Sequence, residues 1–172
     1  PFAMYHVDPD HKEREFLTLD ELTAMTEIKL EDPNMAFARD LFIFGSWTGI
    51  AFIDIKNLTE DNITMVNGAP WIVSKRQKTG VPFQIKLLDI PMQIVERYKS
   101  FRNGNHLFNI GNLDSINKRI KKVAVMCGIK KRVSFHVSRH SWAVLALEYG
   151  MPIESVSKIL GHTNITTTQI YA

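Results

Sequence analysis

The dipeptide Asn67-Gly68, set between two short apolar runs, constrains the fold of this chain more than any other feature. The runs are Ile63 to Val66 and Trp71 to Ser74, and an Asn-Gly connection between such runs favours a tight β-hairpin. A further turn at Lys78-Thr79-Gly80 leads into an alternating apolar run from Phe83 to Leu87. The sequence therefore predicts one small antiparallel sheet of three strands.

The remaining periodic segments have helical patterns. Thr18, followed three residues later by Glu21, forms a capping-box signature that marks a helix start. Pro33 to Thr48 carries apolar side chains at helical spacing and predicts a buried core helix. Further helical patterns cover Asp54 to Leu58, Pro91 to Tyr98, Leu113 to Cys127, Ser138 to Tyr149 and Ile153 to Leu160. The expected fold class is mainly α with a small antiparallel β-sheet, an α+β domain.

Length and composition fit one domain. A chain of 172 residues with 45% apolar residues buries one core. We expect residues 1–15 to be a linker or N-terminal extension and residues 16–172 to form the domain. A single cysteine, Cys127, excludes an internal disulfide and a cysteine-based zinc site. The sequence has no apolar run of about 18 residues and no signal-peptide core, so we expect a cytoplasmic protein.

The net charge of +3 is modest, but the basic residues crowd one region. Its members are Lys118, Arg119, Lys121, Lys122, Lys130, Lys131 and Arg132. Such a cluster fits a polyanionic partner such as DNA, and it fits an ordinary solvated helix face equally well. Charge alone leaves both interpretations open.

Two histidine-containing motifs flank an apolar helical segment near the end of the chain. In a helix that begins near His136, the side chains of His136, Arg139 and His140 share one face. A guanidinium suits a phosphate because it makes two parallel hydrogen bonds and keeps its charge, while histidine exchanges protons near neutral pH. These residue types predict a site that handles phosphate groups.

The second motif runs from Leu160-Gly161-His162 to Tyr171. Gly161 allows a sharp turn after the preceding helix, and Asn164 is a candidate cap for the segment that carries Tyr171. Three consecutive threonines make that segment a weak helix. We therefore hypothesise that Tyr171 is mobile.

This arrangement resembles the tyrosine recombinase and phage-type integrase family, whose pattern is H-x-x-R, then L-G-H, then T-T-x-x-Y-A. The resemblance extends upstream to Phe16-Leu17-Thr18, to Thr48-Gly49-Ile50 and to the turn at Lys78-Thr79-Gly80, so it covers nearly the whole chain in order. It implies the catalytic-domain fold of DNA breaking-rejoining enzymes and a bacterial, nucleoid-associated protein. Family members also carry an N-terminal core-binding domain that a chain of this length does not contain.

The resemblance implies a role for each matching residue in site-specific DNA recombination. Tyr171 is the expected nucleophile, which forms a covalent 3′-phosphotyrosine intermediate with DNA, and His136 assists its proton transfer. Arg139 and His162 bind the phosphate, and Lys78 protonates the leaving 5′ oxygen as general acid. No metal or other cofactor is implied. Further DNA contacts are expected from Lys75, Arg76, Lys118, Lys122, Lys131 and Arg132.

The implied partner is double-stranded DNA, without any membrane. In the full-length protein the resemblance implies a homo-tetramer assembled on DNA, whereas the isolated domain is compatible with a monomer.

The sequence departs from the family pattern at Ala51, where T-G-x-R places the first catalytic arginine. Three explanations are open. The chain belongs to a subgroup of mobile-element integrases without this arginine; a cation from elsewhere, Arg39, Lys56 or Arg76, reaches the site; or the residue was changed by engineering. The first, which some conjugative-transposon integrases exemplify, is preferred.

Alternative functions follow from the same residues. Taken singly, each histidine is more often structural, and Tyr171 is more often a core aromatic residue. A type IB topoisomerase-like enzyme shares the nicking and rejoining chemistry, and Ala51 makes a non-catalytic or impaired DNA-binding module credible. The order and spacing of the motifs favour the recombinase.

Overall fold

The computed structural model describes residues 15–172, so the predicted linker lies almost entirely outside the described residues. The helices are α1 (Leu19–Glu27), α2 (Pro33–Thr48), α3 (Phe52–Asn57), α4 (Asp89–Arg97), α5 (Leu113–Met126), α6 (Phe135–Glu148), α7 (Ile153–Leu160) and α8 (Thr166–Gln169). The strands β1 (Ile63–Val66), β2 (Ala69–Lys75) and β3 (Pro82–Lys86) lie between α3 and α4, and short 3-10 turns occur at Glu60–Asn62 and Lys99–Phe101. The predicted α+β class is confirmed.

The described strands form an antiparallel sheet in the order β1-β2-β3. Val66 pairs with Ala69, so the hairpin closes through Asn67 and Gly68, whose φ angles are 51° and 80°. Positive φ at both central positions is what a two-residue turn of this type requires, and Asn-Gly supplies it at low cost. The β2–β3 hairpin then projects the Lys78 turn away from the sheet.

The centre of the domain is the packing of α2 against α6. Gly45 and Gly49 lie one turn apart on α2 and face Ser138 and Trp142, which lie one turn apart on α6. A Cβ atom on Gly45 would lie 2.6 Å from the Ser138 hydroxyl oxygen, and one on Gly49 would lie 2.5 Å from the Trp142 ring. The two glycines therefore let the helices approach closely, which brings Arg139 against the end of α2.

The N-terminus of α6 differs from its prediction. The helix begins at Phe135, three residues before Ser138, where the helical pattern predicts its start, and one residue before His136, where the motif places it. Ser134 makes no side-chain cap, and the Phe135 amide instead donates to the Asn117 side chain on α5, at 2.8 Å. A cap supplied from another helix leaves no local sequence signal, which explains the error.

A polar cluster around the buried carboxylate of Asp40 lies away from the two histidine-containing motifs. The carboxylate of Asp40 accepts hydrogen bonds from Arg39 at 2.6 Å, Arg97 at 2.9 Å and the Tyr98 hydroxyl at 2.5 Å. Burial and the neighbouring Asp40 carboxylate raise the pKa of Tyr98 above its ordinary value. This cluster ties α2 to α4.

In the described part of the chain, no helix is long and apolar enough to cross a membrane.

Candidate active site

Arg139 lies where two helices end. It donates to the carbonyl oxygen of Gly49, at 3.4 Å, and to that of Leu160. Gly49 and Gly161 both adopt left-handed backbone conformations, with φ of 72° and 70°, and they terminate α2 and α7. Helix C-termini present unsatisfied carbonyl groups and partial negative charge, and a guanidinium satisfies both. The sequence motif therefore places Arg139 in a fixed position between the two helix ends.

The histidines of the first motif and Tyr171 form a row of rings. His136 and His140 lie one turn apart on α6, with ring centroids 4.4 Å apart. The ring of His140 lies 5.5 Å from that of Tyr171. His136 is exposed and Tyr171 is half-buried against the core. The predicted common face of the motif is confirmed, and it leads directly to the tyrosine ring.

His162 follows the left-handed Gly161 and is held from two sides. Its amide donates to the Ser157 carbonyl at 3.0 Å, and its ring nitrogen Nδ1 lies 2.7 Å from the Thr168 hydroxyl oxygen. Thr168 is fully buried and precedes Tyr171 by one helical turn. Asn164 caps the turn between them through the Thr166 amide, at 3.0 Å, as the sequence predicts.

Arg76, which follows the last residue of β2, enters the same place from the hairpin side. It is 4% exposed, forms an ion pair with Asp54 at 3.0 Å and donates to the carbonyls of Gly49, at 3.4 Å, and Ile159. Gly49 thus accepts from both Arg76 and Arg139. A Cβ atom on Gly161 would lie 2.6 Å from Arg76 Cγ, so this glycine also makes room for the arginine.

The two guanidinium groups affect each other electrostatically. Burial, and after it the charge of Arg76, lower the pKa of Arg139 to about 10, although Tyr171 and Asp54 act in the opposite direction. Burial also lowers the pKa of Arg76, against the effect of Asp54. The Nε atom of Arg76 is buried and finds no acceptor within residues 15–172. Two desolvated cations with a spare donor form a site that an anion would stabilise.

A small cavity of about 130 Å³ opens beside Arg139. Its walls include Ala51, Asn117, His136 and Arg139. The short side chain of Ala51 thus borders an open space next to Arg139, at the position where the family pattern has an arginine.

Comparisons with known proteins identify the family of this chain. The model of the phage integrase family matches residues 15–172. The chain belongs to the phage integrase family. The tyrosine recombinase XerC of Yersinia pestis is 26% identical over 162 residues, which are 90% of this chain and 54% of that protein. The XerC of Natranaerobius thermophilus is 27% identical and matches 94% of this chain and 59% of its own length.

Solved structures show the same fold. XerH recombinase, bound to its palindromic difH substrate after cleavage, superposes with a TM-score of 0.78 at 19% identity, covering 93% of this chain and 50% of that one. XerA recombinase gives a TM-score of 0.75 at 24% identity, covering 95% of this chain and 60% of that one. The chain spans about half the length of these relatives. The catalytic-domain fold expected from the sequence is confirmed.

The other cations considered as substitutes for the first arginine lie elsewhere in this integrase domain. Arg39 is buried on the far side of α2, where it donates to Asp40 and to carbonyl oxygens of Met25 and Ile28, both at 2.9 Å. Lys56 is exposed on α3. Of these three candidates, Arg76 is the one placed beside Arg139.

The other residues predicted to contact DNA differ in their exposure and pairing. Lys78 is exposed at the β2–β3 turn, two residues beyond Arg76, and Lys75 is exposed at the end of β2. Lys118 and Lys122 are exposed on α5, and Arg132 is exposed before α6. Lys131 differs, because its amine is paired with Glu21 at 2.6 Å and donates to the Phe16 carbonyl at 3.0 Å. The pairing ties Lys131 to α1.

The contacts of three site residues were not predicted from the sequence. Asp54 binds the Arg76 guanidinium and also accepts from the Gln77 amide, at 2.8 Å, which fixes the base of the hairpin turn. Gly49 supplies the carbonyl that both arginines share, and Thr168 contacts His162. Their partners lie far along the chain or in a separate motif, so spacing does not reveal them. Within residues 15–172, no group of His, Cys, Asp and Glu side chains is arranged to hold a metal ion.

Proposed function

We propose that this chain is the catalytic part of a site-specific DNA recombinase or integrase that cuts and rejoins DNA through a covalent 3′-phosphotyrosine. One observation carries the proposal: Arg139 lies at the ends of α2 and α7, next to the turn that carries His162 and within electrostatic reach of Tyr171. Arg139 binds the carbonyl two residues before His162, and Tyr171 lies close enough to Arg139 to affect its pKa. A phosphate between them would meet a cation, a histidine and a nucleophile.

The proposed reaction is a transesterification. The Tyr171 hydroxyl oxygen attacks phosphorus and forms the tyrosyl ester, and its proton passes to His136. The bond from phosphorus to the 5′ oxygen breaks, and that oxygen takes a proton from Lys78. The reverse reaction with a 5′ hydroxyl of another strand restores the phosphodiester. Because the tyrosyl phosphodiester retains the energy of the broken bond, rejoining consumes no nucleotide.

We assign to Arg76 the phosphate-binding role that Ala51 cannot perform. Arg76 reaches the carbonyl of Gly49 from the hairpin, while Ala51 follows Gly49 by two residues in the chain. Its buried Nε has no acceptor within the described residues, so a phosphate oxygen has a donor available. The assignment favours substitution from elsewhere in the chain over a site with one arginine. It also describes how a mobile-element integrase of this kind would function without arginine at residue 51.

Covalent trapping tests the function. A duplex nicked just beyond the scissile phosphate loses its short leaving strand, so cleaved enzyme stays attached to DNA. We expect a detergent-resistant complex with the wild type and none with Tyr171→Phe. Tyr149→Phe is the matched control, because Tyr149 is 72% exposed and lies outside the site. A wild type that binds the duplex without any adduct would make the chain a DNA-binding module, and relaxation of supercoiled DNA without strand exchange would make it topoisomerase-like.

Moving the positive charge from residue 76 to residue 51 tests the role assigned to Arg76. Removing Arg76 alone would leave Asp54 buried without its partner, which costs stability, so both are changed together in Asp54→Asn/Arg76→Met. We expect this variant to fold and to cleave about 100- to 1,000-fold more slowly, the usual effect of losing one donor to a transition-state oxygen. Adding Ala51→Arg should recover at least about tenfold of that loss, from the position that the family pattern uses.

Two results would contradict the Arg76 assignment. One is wild-type cleavage by the folded double variant, and the other is a folded triple variant with no recovery. In the wild-type background, Ala51→Arg should give no increase, because the charge is already supplied.

We further propose that the partner is double-stranded DNA in the bacterial cytoplasm and that the full-length protein works as a tetramer. The exposed Lys118 and Lys122 lie on α5, whose Asn117 caps the motif helix, so the basic surface continues from the site. Each phosphate that they neutralise should add about 0.9 to the slope of log affinity against log salt. Lys131→Ala should change this slope less than Lys118→Ala, because Glu21 already neutralises Lys131.

A further inference from the structure

The last helix and the phosphate-binding histidine are joined through one side chain. Thr168 is 0% exposed, and its hydroxyl oxygen lies 2.7 Å from Nδ1 of His162. Its carbonyl oxygen accepts the Tyr171 amide at 3.1 Å. The neighbouring Thr166 and Thr167 are exposed. A single buried threonine therefore touches the histidine with its side chain and the nucleophile with its backbone.

From this contact we propose that Thr168 is a positioning residue that donates its hydroxyl proton to Nδ1 of His162 and so keeps the proton of the neutral imidazole on Nε2. The inference rests on the proposed function, in which His162 donates to a phosphate oxygen. A neutral imidazole has one N–H, so it can donate through Nε2 only when Nδ1 is an acceptor. A threonine hydroxyl supplies the donor that this tautomer needs.

Two guanidinium groups lie beside the turn that carries His162. Arg76 crosses Gly161 from the β2 side, and Arg139 binds the Leu160 carbonyl from α6. Tyr171 lies on the α8 side, close enough to Arg139 to affect its pKa, and Asp54 forms an ion pair with Arg76. Two guanidinium groups oppose a third positive charge nearby. When Thr168 donates to Nδ1, the neutral ring of His162 donates through Nε2, so His162 does not need to carry a positive charge.

The same contact couples His162 to the docking of Tyr171. Since Thr168 and Tyr171 are hydrogen-bonded within one turn, a movement of the tyrosine segment removes the hydroxyl from Nδ1. The histidine then loses the partner that fixes its tautomer. The Tyr171 nucleophile and the His162 ring that donates to the phosphate therefore reach their active arrangement together.

The experiment replaces Thr168 by valine, which has the same shape without the hydroxyl. Thr168→Ser restores the hydroxyl, and Thr167→Val is the matched control on the exposed face. Long-range ¹H–¹⁵N spectra of the free protein at pH 8 report the tautomer. We expect His162 to carry its proton on Nε2 in the wild type and in Thr168→Ser, with a mixture of tautomers in Thr168→Val.

Cleavage of the nicked duplex gives an independent measurement. Thr168→Val should retain activity at acidic pH, where a doubly protonated imidazolium still donates through Nε2, and should lose about tenfold or more at higher pH, where the ring is neutral. The wild type, Thr168→Ser and Thr167→Val should show no such loss. An unchanged tautomer in Thr168→Val, or a loss of activity equal at every pH, would overturn the inference. If the wild type does not cleave, the proposed function fails while the spectra still decide the tautomer.

Discussion

Two parts of the active site are built in opposite ways. We call Arg76, Arg139 and the carbonyls that hold them the arginine floor. Residues 163–172 are the tyrosine segment. The floor rests on α2, a helix of 16 residues whose second half is almost wholly buried, and on α6, a helix of 14 residues. The tyrosine segment contains a helix of four residues, of which Thr168 is the buried one. The two phosphate-binding arginines are therefore fixed by the core, whereas the nucleophile depends on a few contacts.

This difference suits a reaction in which the phosphate stays in place and the attacking group moves. Stability within a protein is uneven, and short elements with few buried contacts open first. Arg139 cannot move without losing its hydrogen bonds to the ends of two helices, because it donates to a carbonyl of each. Tyr171 can move by releasing one short helix.

The largest expected contrast is in hydrogen exchange. Amides of α2 and α6 should open only with global unfolding, at about 5 kcal/mol or more, while those of α8 should open at close to zero. Exchange measured by mass spectrometry or NMR on the free domain checks this, and DNA should slow α8 selectively. Equal and strong protection of α8 and α6, in both the free and the DNA-bound protein, would contradict the difference in stability between the arginine floor and the tyrosine segment.

Core substitutions should give the next largest difference. Trp142→Ala removes the ring that covers Gly49 and should cost about 3–5 kcal/mol in the free energy of unfolding. Ile170→Ala, in the tyrosine segment, should cost less than about 0.5 kcal/mol because the side chain is 43% exposed. Denaturant unfolding monitored by fluorescence or circular dichroism measures both. Similar costs would mean that the tyrosine segment belongs to the core.

Arg139→Gln should reduce cleavage about 100- to 1,000-fold, equivalent to about 2.7–4 kcal/mol, because a transition-state contact is lost. Single-turnover cleavage of the nicked duplex measures the effect, with thermal unfolding as the check on folding. Arg97→Gln is the control, since Arg97 is also paired with a buried carboxylate but lies in the Asp40 cluster. A drop of the same size in both variants would point to lost structure.

The smallest effect is stabilisation by a simple anion. Sulfate at ten times its dissociation constant should stabilise the wild type by about 1.4 kcal/mol through binding to the two guanidinium groups. It should also raise the pKa of Arg139 from its depressed value of about 10, since the anion offsets both burial and the Arg76 charge. Thermal melts of the wild type and Arg139→Gln at equal ionic strength separate specific binding from general salt effects. An equal shift in both would exclude an anion site at Arg139.

Local features of this domain were predictable, and its distant contacts were not. Asn67-Gly68, the Thr18 capping box and the limits of α2 follow from turn, cap and periodicity rules that act within a few residues. The shared face of His136 and His140 follows from helix geometry. In each case, neighbouring residues determine the outcome.

The floor, in contrast, depends on contacts that join separate elements. Arg76 and Asp54 are 22 residues apart, and Arg139 lies 90 residues from Gly49. No periodicity encodes such pairs, so Arg76 was predicted as a DNA contact and as a substitute for the missing arginine, without its buried position. The start of α6 was wrong for the same reason, since its cap comes from α5.

The central claim is that Arg76 and Arg139 together neutralise one scissile phosphate, and a methylphosphonate at that position tests it most directly. This group lacks the negative charge, so it needs fewer cations. On the phosphate substrate, we predict that the variants Asp54→Asn/Arg76→Met and Arg139→Gln each cleave about 100-fold or more slowly than the wild type. On the methylphosphonate substrate, we predict that both variants cleave within about tenfold of the wild-type rate. An equal deficit on both substrates would contradict the account, because the arginines would then act on something other than that charge.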